Sequence, residues 1–178
     1  MAPPKVSSAA ILKSIKVVSD KSAKISDALG KVASTRVMAG IPAEKGLREP
    51  DDSGEKASGI NNAALMFIHE FGAPEANIPA RPVVYPAIRS IQKEVIARLK
   101  VIGKLALEGK PDQVDKAFNA LGLLAQNAMR KRITEGPFEP LKPSTLATRR
   151  ARGRKGDRPL IDSGQLRRAL TYVIRKLK

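Results

Sequence analysis

Apolar and polar positions along the chain follow two periods. Ile11, Ile15, Val18, Ile25, Leu29 and Val32 recur at helical spacing, with Ser22 at the one stripe position that is not apolar, while Lys13, Lys16, Lys21, Lys24 and Lys31 take other faces. This predicts an amphipathic helix of about six turns. In TRVMAGIP the period becomes two: Val37, Ala39 and Ile41 alternate with Arg36, Met38 and Gly40, and Pro42 ends the strand. The polar AEKGLREPDDSGEKASG that follows predicts a mobile loop over 43–60.

NNAALMFIHEFG predicts a short helix with Asn61 or Asn62 as N-cap and Gly72 as its stop. It is apolar on nearly every side, so burial between other elements is expected. APEANIPARPVVYP should run extended, because residues before Pro79, Pro82 and Pro86 are pushed away from helical angles. Ile88, Ile91, Val95, Leu99, Ile102 and Leu105 mark one long helix, broken by EGKPD around Gly109. A second then starts at Pro111 or Asp112, with Val114, Phe118, Leu121, Leu124, Ala125 and Ala128 inward. Two long helices joined by so short a break should pack antiparallel.

Toward the C-terminus, Ser144 is placed to cap a short helix, and 151–156 reads as an exposed loop. Asp162 with Gln165 has the spacing of a capping box for SGQLRRAL, which would bury Leu166 and Leu170, and TYVIRKL reads as a closing strand.

Charge changes this picture most. Lys and Arg number 33 against 17 Asp and Glu, a formal net charge of +16. Residues 130–178 hold 15 basic and 4 acidic residues, so most of the excess lies at that end. Such a balance points to polyanionic partners or an assembly surface. Arg130, Lys131 and Arg132 suit the negative end of a helix dipole. Arg149, Arg150, Arg152, Arg154, Lys155 and Arg158 form a basic run with two readings: a solvated turn, or a contact for phosphates or an acidic protein surface. With aromatics at 3%, no stacking platform supports sequence-specific reading of nucleic acid.

The chain has no cysteine and one histidine, which excludes disulfides and thiolate metal sites and leaves little for zinc or triad chemistry. His69 shares a face with Leu65, no second histidine completes a zinc signature, and a packed, hydrogen-bonded role is expected. No catalytic, cofactor or metal residues are assigned, and no enzyme activity is expected. Lys13 and Lys16 interrupt the N-terminal apolar run and no stretch has the length of a membrane span, so a soluble protein of a reducing cytoplasm is expected.

Three pieces taken together carry a resemblance: NAALMFIHEFGAPEANIPARPVVYPAI, the helix ending KRITEG, and LKPSTLATRRARGRKGDRPLIDSGQLRRALTYVI. They resemble tailed-bacteriophage neck and tail-completion proteins of the virion-morphogenesis type. His69, Glu70, Gly72, Pro79, Arg81 and Pro82 match the family's first pattern. Leu141, Pro143, Ser144, Thr145, Pro159, Leu160, Ile161, Asp162, Gly164, Gln165, Leu166, Thr171 and Tyr172 match its second. The resemblance covers about two-thirds of the chain. Ser163 stands where threonine is usual, Val83 and Val84 replace a more aromatic segment, and the N-terminal helix is longer and more basic.

The resemblance implies an α+β fold, a small antiparallel sheet flanked by long helices. It implies a homo-oligomeric ring in the virion neck, between the portal side of the head and the tail, around the DNA channel, with other phage neck and tail proteins as partners and no membrane. Residues 1–33 form an N-terminal helical arm in this division and 34–178 the domain. The arm's Ile11, Ile15, Val18, Ile25 and Leu29 either pack on their own domain or dock on a neighbouring subunit. The alternative reading is a basic, sequence-nonspecific nucleic-acid-binding protein.

Overall fold

The computed structural model describes residues 20–48 and 59–177. Within these, helix α1 (Ser22–Ser34) leads into strand β1 (Thr35–Gly40) and a 3-10 turn at Ala43–Lys45. Helix α2 (Asn62–Phe71), a 3-10 turn at Pro74–Ala76, α3 (Val84–Ser90), α4 (Gln92–Leu107) and α5 (Pro111–Glu135) follow. The chain closes with α6 (Pro143–Ala151), α7 (Gln165–Ala169) and β2 (Thr171–Lys176). The fold is α+β: β1 and β2 pair antiparallel from Thr35↔Lys176 to Gly40↔Thr171, and helices flank this small sheet.

Helix α5 organises the core. Its 25 residues span about 38 Å. Its N-terminal half contributes Val114, Phe118 and Leu121 to a cluster with Ala28 of α1 and Ile102 and Ala106 of α4. Its C-terminal half contributes Met129 and Ile133 to a second cluster with Met66, Val83, Ala87, Leu160, Leu166 and Leu170. The sheet joins the two, because alternation in β1 turns Val37 toward the first cluster and Ala39 toward the second while Met38 faces out. At the crossing of β2 over α5 the helix carries Gly122: a Cβ there would lie 2.2 Å from the Tyr172 ring. Removing that one side chain lets the sheet sit directly on the helix backbone.

As expected, α4 and α5 pack as antiparallel neighbours, with Gly109 at φ 67° in the turn between them. Helix α1 packs on both through Ala28 and Val32, and Lys31 forms an ion pair with Asp115 at 2.9 Å. The hydrogen bond to that carboxylate raises the Lys31 pKa.

Several local expectations are corrected. The single helix expected through Ile88–Leu105 is two, because Ile91 (φ −102°, ψ 7°) ends α3 before α4 begins. The break shifts the phase of the apolar stripe, leaving Leu99 exposed while Ile102 and Ala106 are buried. The extended segment ends at Val83, and Pro86 falls in the first turn of α3, where its missing N–H costs no helical bond. Lys142 takes the N-cap position of α6, with Pro143 at N1, in place of Ser144. Helix α6 runs through Ala151, one residue into the loop expected over 151–156, with Arg149 and Arg150 in its last turn. Helix α2 is not buried all round: Phe67 and Phe71 are about two-thirds exposed.

Candidate functional site

The two blocks that carry the family resemblance form opposite walls of one cleft of about 400 Å³. His69, Ile78, Pro79 and Arg81 come from the first block; Leu141, Lys142, Thr145, Arg149, Asp162 and Gln165 come from the second.

The first wall is built from a helix end and its return. The Asn61 side chain accepts from Ala64 N–H at 2.7 Å and starts α2; Gly72, at φ 79°, ends it. A Cβ on Gly72 would come within 3.0 Å of Ala80 N, so only glycine fits the turn-back. The return is fixed by the Ala73–Ile78 bridge and by Arg81 N–H donating to the His69 carbonyl at 2.6 Å. Glu70 then reaches across to α3. One carboxylate oxygen accepts from Val83 N–H (2.6 Å) and Val84 N–H (2.9 Å), the other from Tyr85 N–H (3.0 Å). A carboxylate from α2 thus does the work of an N-cap for α3, satisfying orphan donors and meeting the positive end of the helix dipole.

Arg81 is 7% exposed, and its Nε and Nη2 donate to the Glu139 carbonyl, both at 3.4 Å. The His69 ring is half-buried. Its Nδ1 is buried without a hydrogen-bond partner, so the hydrogen-bonded histidine expected from sequence is corrected at that atom. Burial first, and the Arg81 charge second, hold the His69 pKa below its ordinary value.

The second wall is tied together by arginines. Arg149, in the last turn of α6, donates Nη1 to the carbonyls of Gly156 (3.3 Å), Arg158 (2.9 Å) and Ile161 (3.0 Å) and pairs with Asp162 at 3.5 Å. Arg154 also pairs with Asp162, and Arg158 donates to the Thr134 carbonyl. Carbonyls on both sides of Leu160 are therefore held while that residue takes φ 64°, a conformation leucine disfavours, and puts its side chain into the core. The capping box expected from Asp162 and Gln165 is not formed: Gly164, at φ 75°, precedes α7 without a side-chain cap, and the Asp162 carboxylate faces the arginines. Arg130, expected only to complement a dipole, donates to the Leu170 carbonyl at 2.8 and 3.1 Å and anchors the start of β2.

The basic run is therefore engaged within the chain at Arg149, Arg154 and Arg158, and Arg150, Arg152, Lys155 and Arg158 are exposed to solvent. Of the arm residues, Ile25 is half-buried against the α4–α5 turn and Leu29 is 44% exposed; Ile11, Ile15 and Val18 lie outside the described residues. The cleft lining carries Arg48, Arg81, Lys142 and Arg149 against Asp162, a balance that favours anionic groups. Among the described residues no cluster of His, Cys, Asp or Glu could hold a metal ion, and no helix is long and apolar enough to cross a membrane.

The framework roles of Glu70, Arg81 and Arg149 were missed from sequence. The carboxylate of Glu70 gave a usable signal, since it lies 13 to 15 residues before the start of a helix that has no capping side chain of its own. The exposed aromatic surface of α2 and α3 was missed as well. Its signal was the helix's apolarity on every face, more than one short element packed on one core can bury.

Over 36 residues, 20% of this chain, the sequence is 44% identical to an uncharacterized protein of Methanocaldococcus jannaschii, of which the match spans 27%. No protein-family model and no solved structure matches the chain.

Proposed function

We propose that the protein is a structural connector of a tailed-phage virion, forming a ring in the neck that joins the portal side of the head to the tail around the DNA channel. The observation that carries this reading is the meeting of the two resemblance blocks, about 60 residues apart in sequence, as walls of one cleft. The residues they share with the family pattern have structural tasks here: Glu70 caps a helix, Gly72 and Gly164 turn the chain, and Asp162 anchors two arginines. A scaffold that must transmit force between head and tail needs such cross-ties, and none of these tasks is catalytic. In this reading the ring assembles in the host cytoplasm, contacts other neck and tail proteins, and touches phage DNA without sequence preference.

The alternative, a free nucleic-acid-binding protein, drew its support from the basic run. That support is weakened where Arg149, Arg154 and Arg158 are engaged within the chain. Deleting the coding region from the phage or prophage that carries it tests the proposal: separate DNA-filled heads and free tails, with joining restored by the purified protein, are the expected result. Normal particles from the deletion, or a protein absent from the particle that binds free duplex as a monomer in a salt-sensitive way, would overturn it.

A further inference from the structure

The protein has six Phe and Tyr residues, and three of them lie uncovered on one surface. Phe67, Phe71 and Tyr85 are 65%, 67% and 66% exposed and, with Ile41, Val84 and Ile88, line an apolar groove of about 570 Å³ between α2 and α3. The Phe67 and Phe71 rings pack on each other, 4.8 Å between centroids. Together the three rings present roughly 400 Å² of uncovered aromatic surface, within the range of patches that mark interaction sites on otherwise polar proteins.

An occupant of matching chemistry exists in the same chain. Nineteen residues precede Asp20, and they contain Ile11, Ile15 and Val18 at i, i+4 and i+7, the spacing with which an amphipathic helix fills an apolar groove. The described chain starts at the opposite end of the molecule from the groove. Ile25 and Lys24 lie against Gly109 in the α4–α5 turn, whereas the groove belongs to α3, beyond the far end of α4. Helix α4, with 16 residues, separates the two by about 24 Å. As a helix, the stretch from Ile11 to Asp20 covers only about 15 Å, too short to bring its apolar face back to its own groove. A second copy offers that groove without such a limit.

We infer that the Ile11–Ile15–Val18 face of one subunit docks in the Phe67–Phe71–Tyr85 groove of the next. Arm and groove lie at opposite ends of the molecule, so the contact is heterologous and repeats head to tail, closing into a ring where the rotation between subunits allows. This deepens the connector reading and rests on it, naming the surfaces by which the copies join.

The absence of cysteine makes a clean test in the full-length chain. Two single variants, Ile15→Cys and Phe71→Cys, are mixed and treated with a short bismaleimide. Leu99→Cys, at a half-exposed leucine on the outer face of α4, replaces Phe71→Cys in a control mixture. The expected result is a cross-linked dimer in the first mixture at least about fivefold above the control, with Phe67→Ser/Phe71→Ser raising the self-association Kd about tenfold. Circular dichroism confirms that the variants fold. Equal cross-linking in both mixtures, or linkage only within single chains of an Ile15→Cys/Phe71→Cys double variant, overturns the inference. Rings or joined particles that form normally after deletion of residues 1–19 sink this contact while leaving the connector reading in place. A protein that stays monomeric and is absent from the particle sinks both. A Phe67→Ser/Phe71→Ser chain that self-assembles normally but joins no particles assigns the groove to another protein and also overturns the inference.

Discussion

Between Arg149 and Asp162 the chain carries five arginines and a lysine, and between Phe67 and Ile88 it carries three aromatics among a run of aliphatics. Judged by residue type, the first stretch belongs to solvent and the second to the core. The structure reverses much of this. Arg149 has a side chain only 11% exposed and donates to three carbonyls, whereas Phe67, Phe71 and Tyr85 face outward. Residue type sets what a side chain can do, but whether its needs are met inside the chain is decided by what packs beside it. The arginine-rich segment has met many of its needs internally, and the α2–α3 corner has not.

The sharpest way to break this contrast is to compare two neighbouring arginines. Arg149→Ala leaves three carbonyls and Asp162 without their shared donor, and should lower unfolding free energy by about 2–3 kcal/mol. Arg150→Ala, at an exposed position of the same helix, should change it by less than about 0.5 kcal/mol. Urea denaturation of both variants decides: equal effects would mean that the run is a solvated surface throughout. A second measurement on the same pair is DNA affinity, which should fall no more for Arg149→Ala than for Arg150→Ala.

Glu70 gives the next largest effect, because it ties the uncovered corner to the body. Glu70→Ala removes an acceptor from three backbone N–H groups at the start of α3 and should cost about 2 kcal/mol. Glu70→Gln keeps one acceptor oxygen without the charge, and should cost about half as much. Thermal unfolding of both separates a cap from an ordinary surface carboxylate. The aromatic side of the comparison predicts little change: Phe71→Ser should alter unfolding free energy of the isolated subunit by less than about 1 kcal/mol. A loss of several kcal/mol would show that the ring belongs to the core.

Much of the fold was legible in the sequence because period is a local signal. The alternation of Val37, Ala39 and Ile41 against Met38 placed β1, and the stripe from Val114 to Ala128 placed α5. Signals that depend on a distant partner were not legible. Asp162 has capping-box spacing to Gln165, but two arginines eight and thirteen residues earlier in the chain take its carboxylate. The break at Ile91 leaves no mark in composition, since the apolar spacing continues through it. The cleft was legible only as two resemblance blocks; that they face each other follows from α5 carrying Met129 and Ile133 between them.

The smallest expected effect is also the cleanest to isolate, because His69 is the chain's one histidine. Burial, aided by Arg81, depresses its folded-state pKa, so the folded protein holds the ring neutral at pH values where the unfolded chain has begun to take up a proton. Stability from this site is fully present above the unfolded pKa of about 6.5 and is lost as pH falls through it toward the folded value. The Tm should therefore decline on acidification from pH 7.5 to 5.5, and His69→Gln should decline less over the same interval. In NMR the imidazole C–H resonance should titrate below pH 6.5. A resonance that titrates at or above that pH would mean that the cleft is open enough to solvate the charge, and that its Arg81 wall is not the desolvated surface described here.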